Sequence, residues 1–272
     1  GAVSISAIGD PASDAAVHAS RYSTLFGSGY ESRLSEMNPI PLIGSGMAPL
    51  LCTHANGDEV VPIRDYLLKR GVTVVTMLYR TPRPVGLPKH LTAWQDAQRT
   101  VRIVRSEAKK RGLDPENIGF TGCSAGGHLT VMTAVSSQTP AYAPIDATDK
   151  LSCAVNFAVP AYPAYVLGGH DNLTKGFTDA RKGHEKDWDL PLSAELKFDG
   201  ATPPVFLLHG SRDGMVPVMG TAIVYNRLLK MGVPVQMLLL ADHDHGFSYG
   251  RTKGAVDWPN AVIDWMRRMK RM

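Results

Sequence analysis

Residues 122–126 read Gly-Cys-Ser-Ala-Gly and so have the spacing G-x-S-x-G, with Ser124 at the centre. Residues 117–121 before this pattern have the character of a strand, and residues 127–132 after it have the character of a helix. A serine on such a sharp turn exposes its hydroxyl, and the free N–H groups at the start of the helix favour developing negative charge. The pattern predicts that Ser124 is a nucleophile. The alternative is a glycine-rich turn that only packs well.

A serine hydroxyl is a weak nucleophile, so it needs a base, and the base needs an orienting acid. Asp213 follows the apolar run Val205–His209, and His245 follows the apolar run Val235–Ala241. The carboxyl ends of parallel strands meet at one edge of a sheet, where open α/β sheets place their sites. The sequence therefore predicts a catalytic triad of Ser124, His245 and Asp213.

Other residues near these positions offer alternatives. His243 could replace His245 as the base, but Gly246 directly follows His245 and allows a turn that swings the ring towards the serine. Asp242 and Asp58 are the alternative acids. Residues 242–245, which read Asp-His-Asp-His, could also suggest a metal site, but further ligands at compatible spacing are lacking, so no metal is predicted.

Acyl transfer also requires N–H groups that stabilise an oxyanion. The backbone N–H of Ala125 is the expected first donor. The second is expected from the loop after the apolar run Pro49–Thr53, at Ala55 or Asn56. The alternative for this loop is a plain connection between a strand and a helix.

Short apolar runs alternate with helical patterns from residue 48 onward, which predicts the elements that position these side chains. Several runs are solid rather than alternating, as strands buried on both faces of a parallel sheet are. This order predicts a three-layer α/β domain over residues 48–272, with a mostly parallel sheet and helices on both faces. Residues 1–47 are rich in Ala, Ser, Gly and Pro and predict an irregular arm with at most one short helix.

Composition excludes several classes of protein. The 272 residues are 44 % hydrophobic and 20 % charged, as in ordinary globular proteins and unlike disordered chains. A net charge of +4 is too small to indicate nucleic-acid binding. No apolar run approaches the ~20 residues of a membrane span, and the three cysteines form no C-x-x-C pair, so no disulfide framework is expected.

Residues 161–204 are long for a strand-to-helix connection and are expected to border the pocket. Their aromatic side chains Tyr162, Tyr165 and Trp188 could stack on sugar rings, or could simply pack within the loop. An open pocket suits a bulky polar substrate with a small acyl group. This favours an acetylated polysaccharide or oligosaccharide, or another acyl ester, as the partner.

The chain resembles the α/β-hydrolase superfamily and, more closely, the carbohydrate esterases related to bifunctional feruloyl/acetyl-xylan esterases. The resemblance covers about residues 48–270 and is carried by residues 78–80, 94–97, 104–108, 114–119 and 122–129, by His209-Gly210 with Asp213, and by residues 245–247. It implies hydrolysis of acyl esters, often acetyl groups on plant polysaccharides, without a metal or organic cofactor. By the same resemblance, Ser124 would be the nucleophile, His245 the base and Asp213 the acid. A secreted or periplasmic location is implied, although no signal peptide is visible.

The sequence departs from this family pattern in the oxyanion loop. Relatives carry a glycine-rich loop of the H-G-G-G or P-G-G-G kind, whereas residues 54–57 read His-Ala-Asn-Gly. One hypothesis is that residues 1–60 descend from the tail of a preceding hydrolase unit, so that the second donor is poor and turnover is low. A serine peptidase or amidase with the same triad order, and a catalytically weak binding protein, remain the alternative functions.

Overall fold

The chain alternates strands and helices, as predicted. The computed structural model describes residues 2–6, 49–53, 66–79, 87–88, 90–168, 190–247 and 257–272. Within them the strands are β1 (Ala2–Ser6), β2 (Pro49–Thr53), β3 (Thr73–Leu78), β4 (Gly119–Cys123), β5 (Phe157–Ala161), β6 (Val205–Gly210) and β7 (Val235–Leu240). They form one sheet in the order β1-β3-β2-β4-β5-β6-β7, and each of these neighbouring pairs is parallel.

Helices cover both faces of this sheet. They are α1 (Leu91–Ala108), α2 (Ala125–Val135), α3 (Val218–Lys230) and α4 (Trp258–Arg268), with 3₁₀ turns at Lys109–Arg111 and Ala147–Lys150. Apolar side chains of α1, α2 and α3 share one buried cluster, and those of α4 belong to a second cluster. The predicted three-layer arrangement is therefore confirmed.

The solid apolar run of β6 shows why the central strands are not amphipathic. Leu207 belongs to the cluster beneath α3, whereas Phe206 and Leu208 belong to the cluster beneath α4. All three side chains are 0 % exposed. Because successive side chains of a strand point to opposite faces, a strand covered on both sides must be apolar at every position.

The first strand departs from the prediction. Residues 1–47 were expected to be irregular, but Ala2–Ser6 forms β1 and pairs in parallel with β3, with Ala2 opposite Val74 and Ser6 opposite Leu78. One edge of β3 pairs with β2, and the backbone groups on its other edge pair with β1. Backbone pairing of this kind does not depend on which side chains the short strand carries. The rest of the predicted arm lies outside the described residues.

The sequence of residues 154–160 is an apolar run that predicts a strand from Ala154, but β5 begins three residues later. Before Phe157, the carbonyl of Ala154 has a side-chain partner in place of a neighbouring strand. The guanidinium of Arg105 donates to the carbonyl of Ala154 at 2.7 Å. The side-chain oxygen of Asn156 accepts from the N–H of Ile118 at 3.0 Å, so these residues anchor α1 and β4 before the strand starts.

The topology brings the carboxyl ends of β4, β6 and β7 to one edge of the sheet. These are the ends that precede Ser124, Asp213 and His245. Among the described helices, none is both long enough and apolar enough to cross a membrane.

Candidate active site

Ser124 lies on a strained turn between β4 and α2. Its backbone has φ 53° and ψ −113°, a conformation that L-residues rarely adopt. Three hydrogen bonds hold it: its N–H donates to the carbonyl of Ala161, and its carbonyl accepts from the N–H groups of His128 and Ala164, each at 3.0 Å. The neighbouring backbone comes so close that a Cβ on Gly127 would lie 2.6 Å from the carbonyl oxygen of Ala161. This approach explains why residue 127 is glycine.

The predicted base, His245, lies within hydrogen-bonding distance of both the predicted nucleophile and the predicted acid. The Nε2 atom of His245 lies 3.1 Å from the Oγ atom of Ser124. The Nδ1 atom of the same ring lies 2.8 Å from the Oδ2 atom of Asp213. In the neutral ring, the proton on Nδ1 is donated to the carboxylate, and Nε2 is then free to accept the serine proton.

The carboxylate of Asp213 is buried, and both of its oxygens accept hydrogen bonds. Its Oδ1 atom accepts the N–H groups of Met215 at 2.9 Å and Val216 at 2.7 Å. Its Oδ2 atom contacts His245 and also Nε2 of His209 at 3.1 Å. Burial alone would raise the pKa of Asp213, but the hydrogen bonds from the two histidines and from Val216 lower it well below its ordinary value. Asp213 is therefore a carboxylate at neutral pH.

The loops that carry the acid and the base are tied to each other. The Oδ1 atom of Asp244 accepts the N–H of Gly214 at 3.0 Å and the N–H of His245 at 2.7 Å. These two hydrogen bonds lower the pKa of Asp244. The N–H of Arg212 also donates to the carbonyl of His243 at 3.0 Å. The position of His245 relative to Asp213 is thus fixed by backbone as well as by side chains.

Tyr162 does not occupy the position expected for a substrate-stacking residue. It is 1 % exposed, and its ring lies edge to face against His245, with 5.0 Å between the ring centroids. Phe247 contacts its ring at 4.8 Å. The backbone turns inward here, at φ 35°, directly after β5 ends. Of the two alternatives for Tyr162, the structure favours packing over stacking on a sugar, because its ring is enclosed by protein.

Tyr165 lies against His128 in the first turn of α2. Its ring is half-buried and meets the ring of His128 edge to face, with 5.9 Å between centroids. The Nε2 atom of His128 lies 3.3 Å from a carboxylate oxygen of Glu195. Burial alone would raise the pKa of Glu195, but contact with His128 lowers it overall. Trp188, the third predicted stacking residue, lies outside the described residues.

The first predicted oxyanion donor occupies a suitable position. Ala125 is the first residue of α2, where an N–H group has no acceptor within the helix. It directly follows Ser124, so its N–H and the hydroxyl belong to the same turn. Ala55 and Asn56, the candidates for the second donor, lie outside the described residues.

The alternative base and acids lie apart from this arrangement where the structure describes them. His243 is buried, and its ring packs against Phe247 with 5.6 Å between centroids. Asp242 is exposed and pairs with Arg212 at 3.2 Å. Asp58 lies outside the described residues. Over the described ranges, no three or more His, Cys, Asp or Glu side chains are grouped as a metal site, and Cys123 and Cys153 are buried.

His209 is the residue whose role sequence reasoning missed. Residues 209–217 have the spacing H-x-x-x-D-x-x-V-P, from which no role for the histidine follows. In the structure it is 0 % exposed at the end of β6 and contacts the same oxygen of Asp213 that His245 contacts. Its spacing of four residues from Asp213 was the available signal.

Curated proteins with similar sequences include several esterases. The chain is 27 % identical to an acetylxylan esterase from Xylanibacter ruminicola over 76 % of its own length and 40 % of that protein. It is 28 % identical to esterase LipQ from Mycobacterium tuberculosis over 76 % of its own length and 50 % of that protein. It is 24 % identical to endo-1,4-β-xylanase B from Butyrivibrio fibrisolvens over 84 % of its own length and 35 % of that protein. The chain thus spans half or less of the length of these relatives.

Solved structures identify the fold. The acetyl ester-xyloside bifunctional hydrolase from Caldicellulosiruptor lactoaceticus matches with a TM-score of 0.65 at 24 % identity, over 87 % of this chain and 91 % of that chain. Esterase 2 from Thermogutta terrifontis, phosphorylated by paraoxon, matches with a TM-score of 0.68 at 20 % identity, over 86 % of each chain. The α/β-hydrolase fold predicted from the sequence is confirmed.

A family model covers the central part of the molecule. The BD-FAE model matches residues 63–228, a segment that includes Ser124 and Asp213 and ends before His245. The matched segment is more than half of the 272 residues, and it agrees with the family resemblance noted in the sequence. The chain belongs to the BD-FAE family.

Proposed function

We propose that this protein is a serine carboxylic ester hydrolase that acts through an acyl-enzyme, with Ser124 as nucleophile, His245 as base and Asp213 as orienting acid. The observation that carries the proposal is the continuous contact from Ser124 Oγ through His245 to Asp213, at 3.1 Å and 2.8 Å. Related proteins named esterase and carboxylic ester hydrolase support the same reaction class.

The first step forms the acyl-enzyme. His245 Nε2 accepts the Ser124 proton as Oγ attacks the ester carbonyl. The resulting imidazolium is stabilised by Asp213, whose lowered pKa keeps it ionised. The alcohol then leaves with the proton held by His245.

The second step releases the acid. Water gives a proton to His245 and attacks the acyl carbonyl, and Ser124 recovers its proton as the acyl-enzyme breaks down. In both steps the carbonyl oxygen becomes negative, and we assign the N–H of Ala125 as one of its donors. Ala55 or Asn56 remains the proposed source of the second donor.

The substrate class we propose is acetylated carbohydrate such as xylan. The supporting relatives are the acetylxylan esterase, the endo-1,4-β-xylanase B and the acetyl ester-xyloside bifunctional hydrolase. On the chain itself, half-buried Tyr165 follows Ala164, whose N–H donates to the Ser124 carbonyl, and we propose its ring as an aromatic surface for the sugar.

The test measures acetate release from acetylated xylan beside hydrolysis of short aryl acetates, feruloyl esters and peptide anilides. We expect acetate release and aryl acetate hydrolysis, and a loss on the order of 10⁴-fold or more in kcat for Ser124→Ala. Unchanged aryl acetate hydrolysis by Ser124→Ala would contradict the mechanism. Feruloyl turnover without acetate release would overturn the substrate class, and cleavage of anilides but not esters would indicate a peptidase. A wild-type chain without any turnover would indicate a binding protein.

A further inference from the structure

Two histidines share one oxygen of Asp213. His245 approaches Oδ2 from the loop after β7, and His209 approaches it from β6, with Nε2 at 3.1 Å. A carboxylate has about four lone-pair positions for hydrogen bonds. Here the donors are the N–H groups of Met215 and Val216 on Oδ1 and the two imidazoles on Oδ2. The carboxylate is therefore saturated by donors from three directions.

The surroundings of His209 determine which of its nitrogens carries a proton. Nε2 contacts the Asp213 carboxylate and, at 3.2 Å, the carbonyl of Val216. Both are acceptors, so Nε2 must be the N–H donor. In the neutral ring Nδ1 is then an acceptor, and it lies 2.7 Å from the hydroxyl of Thr221. When the Thr221 hydroxyl donates to Nδ1, it stabilises the tautomer with the proton on Nε2. The other tautomer would place an unprotonated Nε2 against the Asp213 carboxylate.

We propose that His209 and Thr221 are positioning residues for the acid: Thr221 fixes the tautomer of His209, and His209 holds Asp213 so that one lone pair of Oδ2 points at His245. This inference rests on the proposed function. His209 and Thr221 are each 0 % exposed, so neither touches substrate.

The fold keeps this arrangement rigid. Thr221 lies in the first turn of α3, four residues after Pro217, and His209 lies at the end of β6. Asp213 lies in the turn that joins them. The three residues therefore move together with the strand and helix that carry them, and Asp213 cannot rotate about its side-chain bonds without breaking hydrogen bonds on both oxygens.

The first test compares Thr221→Val with Thr221→Ser. Both substitutions change the shape of the side chain little, but only Thr221→Ser keeps the hydroxyl. We expect Thr221→Val to lower kcat about tenfold with KM within about twofold, and Thr221→Ser to stay within about twofold of the parent. The acid limb of the pH–rate profile should move to higher pH in Thr221→Val, because Oδ2 of Asp213 then accepts a weaker hydrogen bond from His209 and stabilises the imidazolium of His245 more strongly. The low-field proton resonance of the His245–Asp213 hydrogen bond should also shift or broaden.

The second test compares His209→Gln with His209→Met and does not depend on whether Thr221→Val folds. The glutamine amide can still donate to Asp213, whereas the methionine cannot, so we expect at least about fivefold higher kcat in His209→Gln. The same kcat, pH profile and proton resonance in Thr221→Val and Thr221→Ser would overturn the proposal, as would equal kcat in the two His209 variants. Ser124→Ala is measured in the same experiment. If Ser124→Ala stays active, the proposed function fails; if it is inactive and the His209 and Thr221 variants behave alike, only the positioning role fails.

Discussion

The ring of Tyr162 meets the imidazole of His245 edge to face, with 5.0 Å between centroids and 68° between planes. The hydrogen bond to Asp213 holds the ring of His245 on its Nδ1 side, and the ring can still turn about its side-chain bonds. The ring of Tyr162 lies on one side of the imidazole and is itself packed against Phe247, with 4.8 Å between these two ring centroids. The enclosed tyrosine therefore supports the orientation in which Nε2 faces Ser124.

This contact predicts different effects for two substitutions of Tyr162. Tyr162→Phe retains the ring, so we expect kcat within about threefold of the parent. Tyr162→Leu removes the edge contact and leaves space beside His245, so we expect kcat to fall about tenfold with little change in KM. Steady-state kinetics on an aryl acetate measures both. Equal kcat in Tyr162→Leu and the parent would show that Asp213 alone orients the imidazole.

The convergence of Ser124, Asp213 and His245 was predictable from the sequence because each follows an apolar run. Runs that form parallel strands end at one edge of the sheet whatever the details of the loops. The contribution of Tyr162 was not predictable in this way. An aromatic residue after a strand can point outward to a ligand or inward to a histidine, and a backbone at φ 35° decides between them here.

The strand β1 and the role of His209 were hidden for a related reason. The available signal for β1 was the alternation of Val3 and Ile5 with two serines, which extends over only five residues. The tautomer of His209 depends on Thr221, which lies twelve residues away on another element. Local patterns predict elements and their ends, whereas the partners of buried polar groups depend on packing between elements.

The strain at Ser124 predicts that the wild-type residue lowers stability. Its φ of 53° and ψ of −113° are accessible to glycine at little cost, whereas alanine is strained there as serine is. Ser124→Gly and Ser124→Ala both lack the hydroxyl, so their difference isolates the backbone. We expect Ser124→Gly to have a free energy of unfolding higher than Ser124→Ala by about 1 kcal/mol. Urea unfolding measures this difference, and an alanine variant as stable as the glycine variant would contradict it.

Two glycines of the acid loop should tolerate alanine very differently. A Cβ on Gly210 would lie 2.3 Å from the carbonyl oxygen of His243, so the two loops would have to separate. A Cβ on Gly214 would have its nearest neighbour, Asp244 Oδ1, at 3.9 Å, which is ordinary contact. We expect Gly210→Ala to lose about 2 kcal/mol or more of unfolding free energy and most of its kcat. Gly214→Ala should stay within about 0.5 kcal/mol of the parent.

The side chain of Asp149 predicts a specific loss of stability at low pH. Its carboxylate is 1 % exposed and lies 3.0 Å from Arg99. It accepts hydrogen bonds from the Tyr142 hydroxyl at 2.5 Å and the Ile145 N–H at 2.8 Å. Burial alone would raise the pKa of Asp149, but these hydrogen bonds and Arg99 lower it overall.

A pKa that is lower in the folded state means that the unfolded chain binds the proton more tightly. The contribution of Asp149 is therefore fully present above the unfolded pKa of about 4 and is lost as the pH falls through its folded value. We expect Asp149→Asn to lose about 2 kcal/mol of unfolding free energy at pH 7 and to approach the parent as the pH falls below about 4.

Asp264→Asn is the control, because Asp264 pairs with Arg267 at 3.4 Å with both side chains 60 % exposed, and such pairs contribute little. Urea unfolding at pH 7, 5 and 3 measures the three chains, and a gap between Asp149→Asn and the parent that stays constant with pH would show that the carboxylate charge does not stabilise the fold.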